Sequence, residues 1–318
     1  MHSLHTNAGA IGALGVLRSI SANLALEQNK VSSGYRVASA ADNAAYWSIA
    51  TTMRSDDKSL SSIQDALGLG AATVDVAYSG MSASIDVVSE IKAKLIAARE
   101  PGVDRLKINK EITALKEQIY SIVLSSTFSG SNWLHRIDAS DDGDKQIVGG
   151  FTRSADGSVS VQTLSYGMSN PLGTNHLIDE NYHNGILTNV EFARNLGTAT
   201  EWVLLSGKNH AIHEDMILTS TTTDQDVEEM VSVIDAMQEK MIDAAASLGA
   251  MSKRIATQQD FVADLRGATA RGIGRLVDAD MNEASTRLKA LQTQEQLAIQ
   301  SLSIANATSD TMLQLFRN

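Results

Sequence analysis

Three stretches hold residues whose types and spacing could do chemistry. "GLGAAT", residues 68–73, resembles half of a dinucleotide fingerprint, in which glycines let backbone amides approach a phosphate. That chemistry needs a strand before the turn and a helix after it, and no strand pattern precedes Gly68. "DASDDG", Asp138 to Gly143, opens like a calcium loop, but its twelfth position is Gly149, where a bidentate Glu is required. "KNHAIHEDM" carries His210, His213 and Glu214. Imidazoles three residues apart can share a helix face and bind zinc, but the order differs from the zinc-protease motif. We read the three stretches as helix packing by small residues, an acidic turn and a surface loop. No Ser–His–Asp arrangement or carboxylate pair stands out by spacing. No catalytic, cofactor or metal residue is assigned, and an enzyme is not expected.

The elements around these stretches are helical. The chain of 318 residues is 43% hydrophobic but only 4% aromatic, with 2 prolines. Ala, Leu and Met favour helices and proline breaks them, so the composition suits long, thin bundles. The net charge of −11 leaves no basic footprint for nucleic acid and no polybasic membrane anchor. No cysteine is present, which excludes disulfides, thiolate metal sites and a cysteine nucleophile. The apolar run Ala8 to Leu17 has no basic residue before it and no clear cleavage site after it, and it is too short to span a bilayer. It reads as the start of an amphipathic helix. Membrane insertion and a cleaved signal are not expected.

Apolar residues recur at 3-4 spacing in several stripes. The first is Ala13, Leu17, Ile20, Leu24, Glu27, Val31, with Glu27 its polar member. The second runs from Leu60 through Val74, Met81 and Val88 to Ala98, a helix of about 60 Å, and ends at Pro101–Gly102. Ile108, Ile112, Leu115, Ile119 and Ile122 follow at once, which predicts an antiparallel helical hairpin. Another stripe runs from Val227 to Leu265, with Thr222 and Gln225 as its expected capping box. After "RGIGR" the pattern resumes from Val277 to Phe316, with flanking Leu297, Ile304 and Leu315 giving it a wider apolar face than one partner helix needs. Between the helical parts, "QIVGGFTRSADGSVSVQTL" reads as a β-hairpin around Asp156–Gly157.

The predicted fold is mainly α: an elongated rod of long coiled-coil-like helices from both chain ends, with a small β-rich or irregular insertion at the tip. The expected organisation is a terminal coiled-coil helix over 1–35, a linker or joint over 36–56 and a helical hairpin over 57–135. A variable outer insertion, part β-hairpin, follows over 136–220. A long helix over 221–270 completes the rod, and a terminal coiled-coil helix occupies 271–318. In the joint, Gly34 allows a bend, and Tyr46 and Trp47 are expected to anchor the start of the rod.

"LEQNKVSSGYRVASAADNAAYWSIATTMRSD" resembles the N-terminal segment of bacterial flagellins, the filament subunits, and its wording is nearest to those of rhizobia and related alphaproteobacteria. "SSTFSGSNWL" looks like the Phe-x-Gly turn of that family. "RLVDADMNEASTRLKALQTQEQLAIQSLSIANATSDTMLQLFRN" looks like its C-terminal segment, including Asp278–Ala279–Asp280. The match covers about 1–135 and 220–318 and omits the middle. The resemblance implies a structural subunit that polymerises into the flagellar filament for swimming, exported unfolded by the flagellar type III apparatus and extracellular once assembled. Implied partners are the chain itself in a helical homopolymer, other flagellins of the filament, the filament cap, junction proteins, an export chaperone and the export apparatus. Self-assembly is expected of Leu14, Leu17, Leu24, Arg36, Asp42, Asn43, Asp278, Asp280, Leu302, Leu313 and Phe316. The near absence of proline and lack of cysteine suit a chain that must refold quickly after transport.

Many flagellins carry an Arg-x-Arg-Glu-Leu-like run read by an animal innate receptor. Here the comparable stretch is "VVSEIKAKLIAARE", with Ile91 and Ala93 near the arginine places. A hook–filament junction protein shares the terminal coiled-coil plan and is the alternative reading. An enzyme within 135–220 is a third, unrelated one.

Overall fold

A computed structural model describes residues 7–137, 144–170, 173–180, 184–194, 196, 200–206 and 214–315. The acidic stretch 138–143, both histidines of "KNHAIHEDM" and Phe316 lie outside the described residues. The helices are α1 (Ala8–Ser33), α2 (Ala44–Ala97), α3 (Arg105–Ser125), α4 (Asp224–Val277) and α5 (Met281–Leu315). Between α3 and α4 come β1 (Thr127–Phe128), β2 (Ser131–Asn132), β3 (His135–Arg136), β4 (Lys145–Arg153), β5 (Val159–Tyr166) and β6 (Ser169–Asn170). They are followed by β7 (Gly173–Thr174), β8 (Ile178–Asp179), β9 (Glu191–Phe192), β10 (Glu201–Val203) and β11 (Glu214–Asp215). The chain divides into two compact units, Met1–Lys58 with Leu265–Asn318, and Ser59–Asp264.

In the unit Ser59–Asp264 the apolar stripes become the core. Every stripe position from Leu60 along α2 to Ala98, one residue past its end, is buried, including Gly70 and Ser84. Met230, Ile234, Met237, Met241, Leu248 and Ile255 of α4 pack into the same core, with Ile108, Ile112 and Ile119 of α3. Ile91, near a receptor-type arginine place, is fully buried within it. Most of the stability of such helices comes from burying one face and not from helix propensity. Asp104 caps α3 by accepting from the Leu106 amide at 3.1 Å, and Gly102 (φ 88°) makes the turn before it. Arg105, the first residue of α3, bonds the Thr222 carbonyl and the Asp224 carboxylate, tying the hairpin to the start of α4.

The capping box of α4 sits one residue later than the sequence reading put it. Thr223 Oγ1 accepts from the Asp226 amide at 3.1 Å, and the Asp226 carboxylate accepts from the Thr223 amide at 2.7 Å. The Thr222 hydroxyl is already taken, by the Thr219 amide at 2.8 Å.

"GLGAAT" is inside α2, and the second of its two glycines is a packing device. A Cβ on Gly70 would stand 2.3 Å from Ile147 Cγ2 of β4. β4 and β5 form the antiparallel hairpin about Gly157 (φ 86°), with an irregularity between Val148 and Gly150. β1 and β2 form a second, tight hairpin in which Ser129 (φ 49°) and Gly130 (φ 81°) both take the left-handed region, the geometry of a primed two-residue turn. Trp133 stacks on Tyr166 at 5.3 Å, and the Trp202 indole donates to the buried Glu229 of α4 at 3.0 Å. Lys116 of α3 donates to the Met216 carbonyl at 2.8 Å, and Arg194 pairs with Glu239 of α4. The insertion is thus laid along the flanks of α2, α3 and α4 and is not attached at one end only, because its Trp and Ile side chains need those flanks to be buried.

Candidate functional site

The other unit brings the two ends of the chain together. α1 and α5 pack antiparallel. The Asn7 side chain donates to the Ala305 carbonyl at 2.8 Å, Ser21 bonds Glu295 at 3.3 Å, and Glu27 faces Arg287 at 3.8 Å. Asn7 also caps α1, accepting from the Ala10 amide at 2.9 Å. The seam is the predicted stripe: Ala13, Leu17, Ile20, Leu24 and Val31 are half-buried and Glu27 is buried, against buried Ala284 and Ala298 and half-buried Leu288, Leu291 and Leu302. A two-helix coil can bury only one stripe per helix, so other apolar side chains are left outside. Ile11, Val16 and Leu26 of α1 are 55–60% exposed, and Leu297, Ile299 and Ile304 of α5 are 54–66% exposed. By length and composition α1 could cross a membrane. Its seam, however, is packed on α5.

The joint closes this coil. Gly34 caps α1 in the left-handed region at φ 74°, and its amide donates to the Lys30 carbonyl. The chain then forms an isolated antiparallel bridge, Tyr35 with Asp278. The Arg36 amide donates to the Val277 carbonyl at 2.7 Å, the Val37 amide to the same oxygen at 3.2 Å, and the Ala279 amide to the Gly34 carbonyl at 2.9 Å. Arg36 adds its guanidinium, which donates to the carbonyls of Leu276 at 3.0 Å and Arg275 at 3.4 Å. A cation on the last carbonyls of a helix is favoured by the helix dipole. Val37, Ala50 and Val277 make a small separate core, with Ile273 and Leu276 against it.

Asp42, Asn43 and Asp280 act on local backbone. The Asp42 carboxylate accepts from the amides of Ser39 at 2.9 Å and Ala38 at 3.1 Å and from the Ser39 hydroxyl at 3.1 Å. The Ser39 amide and hydroxyl hold its carboxyl below the usual carboxylate range. Asn43 caps α2 by accepting from the Tyr46 amide at 3.0 Å, and Asp280 caps α5 by accepting from the Asn282 amide at 2.9 Å.

The structure therefore collects Arg36, Asp42, Asn43, Asp278 and Asp280 at one joint, where each has bonds inside its own chain. Leu17, Leu24 and Leu302 lie on the coil seam, whereas Leu14 points outward, 37% exposed. Leu313 is within α5. Tyr46 and Trp47 do not anchor α2: both are exposed, and Ala50, in the second turn, is the first residue of α2 to be buried. Tyr35, an exposed ring, carries the Arg54 guanidinium at 5.1 Å. The joint is also shorter than 36–56, since Asn43 starts α2 at once, and "RGIGR" is no break. Gly272 and Gly274 lie inside α4, where a Cβ would stand 2.8 Å from Met53 Cε and 2.7 Å from Asp278 Oδ2 respectively. Sequence reasoning missed Val37 as the joint's core and Arg287 as the partner of Glu27. A charged residue within an apolar stripe was the available signal for the second. Among the described residues no three His, Cys, Asp or Glu side chains are grouped to hold a metal.

Comparison with known proteins meets this geometry at both ends. The model of the bacterial flagellin N-terminal helical region matches residues 4–139, and that of the C-terminal helical region matches 231–316. Flagellin C of Rhizobium meliloti (strain 1021) is 52% identical across 100% of both chains. Flagellin A of Rhizobium meliloti is 41% identical and a flagellin of Brucella melitensis 34% identical, again across 100% of both chains in each case.

Proposed function

The chain belongs to the bacterial flagellin family, and on that premise we propose that it is a structural subunit that polymerises, alone or with other flagellins, into an extracellular flagellar filament used for swimming. The observation that carries this reading is the coil of α1 and α5, whose outward apolar residues, from Ile11 and Val16 to Ile299 and Ile304, are left for other copies to cover. Leu14 belongs to that polymer surface in this reading, the joint residues Arg36, Asp42, Asn43, Asp278 and Asp280 contribute through the shape they impose, and Leu313 and Phe316 are further candidates for self-assembly. The paired ends form the inner core of the filament, and the insertion between α3 and α4 is its outer part. The subunit leaves the cell unfolded through the flagellar type III apparatus with the help of an export chaperone, and it assembles beneath a cap on junction proteins. A chain with 2 prolines and no cysteine has few slow steps on refolding. The protein is a scaffold and not a catalyst.

Full-length identity to flagellins supports the filament subunit over a junction protein. Seeded polymerisation followed by electron microscopy tests the reading. Filaments are expected to grow from seeds above a critical concentration, and a chain that stays monomeric with seeds at every concentration overturns it.

A further inference from the structure

Glu27 is the polar member of the α1 stripe, and its side chain is buried against α5. Its Oε1 lies 2.9 Å from Lys30 Nζ on the same helix and 3.8 Å from Nε of Arg287 on α5. The apolar part of the seam does not choose a register by itself. Leu17 and Leu24 are one heptad apart, as are Leu291, Ala298 and Ala305. Sliding α5 by one heptad along α1 keeps Leu and Ala opposite most apolar positions, and it carries the half-buried Glu295 into the place of Leu288 in one direction and of Leu302 in the other. It does not keep the charges matched. One slip puts Gln294 where Arg287 stands, and the other puts Asp280 there. The buried carboxylate then faces either a neutral amide or a second carboxylate, and both are costly where water is excluded. Parallel pairing of α1 with another α1 in register is opposed for the same reason, since it would bring two Glu27 side chains together. The bonds between Gly34 and Ala279 close the coil at its end, while Glu27 lies two helical turns inside it.

We infer that Glu27, with Arg287 opposite and Lys30 beside it, is the specificity-determining residue that selects α5, in this one register, as the partner of α1. Its role is positioning: it decides which helix pairs and where, at the expense of coil stability.

The cysteine-free chain permits a direct test on the full-length protein. A Cβ at Gly9 would lie 3.9 Å from that of Ala305, inside the disulfide range of about 3.5–4.5 Å. The pair Gly9→Cys with Ala305→Cys therefore reports the native register. The pair Gly9→Cys with Ala298→Cys, about 10 Å out of step along the helix, closes only after a one-heptad slip. In a glutathione redox buffer, the first disulfide is expected to form and the second not, while Glu27 is present. Glu27→Leu is expected to raise the thermal stability of the coil, yet to lower the ratio of native to slipped disulfide by about tenfold. Reversing the charges together (Glu27→Arg, Lys30→Glu and Arg287→Glu) is expected to restore the ratio. An unchanged ratio in Glu27→Leu, or a reversal that restores nothing, overturns the proposal. So does failure of the native pair to close with Glu27 intact.

Discussion

The guanidinium of Arg36 donates to the Leu276 carbonyl at 3.0 Å, across a separation of 240 residues. Together with the amide of Arg36 on Val277, it joins the segment after α1 to the last turn of α4. Removing it by Arg36→Ala is expected to weaken the joint by about 1–2 kcal/mol, the scale of charge-assisted bonds to backbone. Arg36→Lys should recover part of the loss, because both bonds leave from one nitrogen, Nη2, and an ammonium also has donors for two carbonyls. Hydrogen exchange at the Val37 and Ala279 amides is the measurement. Faster exchange in both variants is expected, and unchanged protection in Arg36→Ala would show the guanidinium to be idle.

Gly68 and Gly70 make a matched pair within one helix. A Cβ at Gly68 meets nothing within 4 Å, whereas at Gly70 it meets Ile147 Cγ2 at 2.3 Å. Gly68→Ala should therefore stabilise the unit by about 0.5–1 kcal/mol through helix propensity. Gly70→Ala should destabilise it by about 1–3 kcal/mol by overpacking. Adding Ile147→Ala to Gly70→Ala should cost less than the two single losses summed, because the clash is shared. Urea unfolding of the four variants decides this.

Burial lowers the Lys116 amine from its usual value to about 8. An unfolded chain then holds a proton on this lysine from pH 8 to 10.5 that the folded chain has released, so this residue makes stability rise with pH in that window. Below pH 8 the folded protein carries the full cost of a poorly solvated ammonium. Lys116→Met should consequently stabilise the unit by about 1–3 kcal/mol at pH 7, after allowing for the lost bond to Met216. The advantage should vanish above pH 10. Denaturation midpoints of the two proteins, compared at each pH, isolate the lysine from other titrating groups. A constant difference across the range would contradict the assignment.

Removing Leu302 to Asn318 deletes the Ala305 carbonyl that Asn7 bonds and part of the coil seam. Polymerisation is expected to be abolished. The unit Ser59–Asp264 holds none of these residues and should keep its unfolding transition. Circular dichroism with thermal melting checks this, and loss of most of the remaining helix would contradict it.

The buried faces of α1 to α5 were legible because a helix repeats every 3.6 residues, so an apolar stripe states locally which side must leave water. Every stripe position of α2 from Leu60 to Leu95 is buried for that reason. The β4–β5 hairpin was legible from Asp156–Gly157, since few residues tolerate φ of 86°. What the sequence could not decide were matters of pairing. Nothing local says that Thr222 is claimed by the Thr219 amide and so leaves the cap to Thr223, or that Gly272 makes room for Met53 and so continues α4. The joint is the strongest case. Arg36, Asp42, Asn43 and Asp280 were marked by type and by resemblance, but their roles depend on which carbonyls and amides lie nearby. Those of Arg36 come from a helix end 240 positions away, which only the closed tertiary structure supplies.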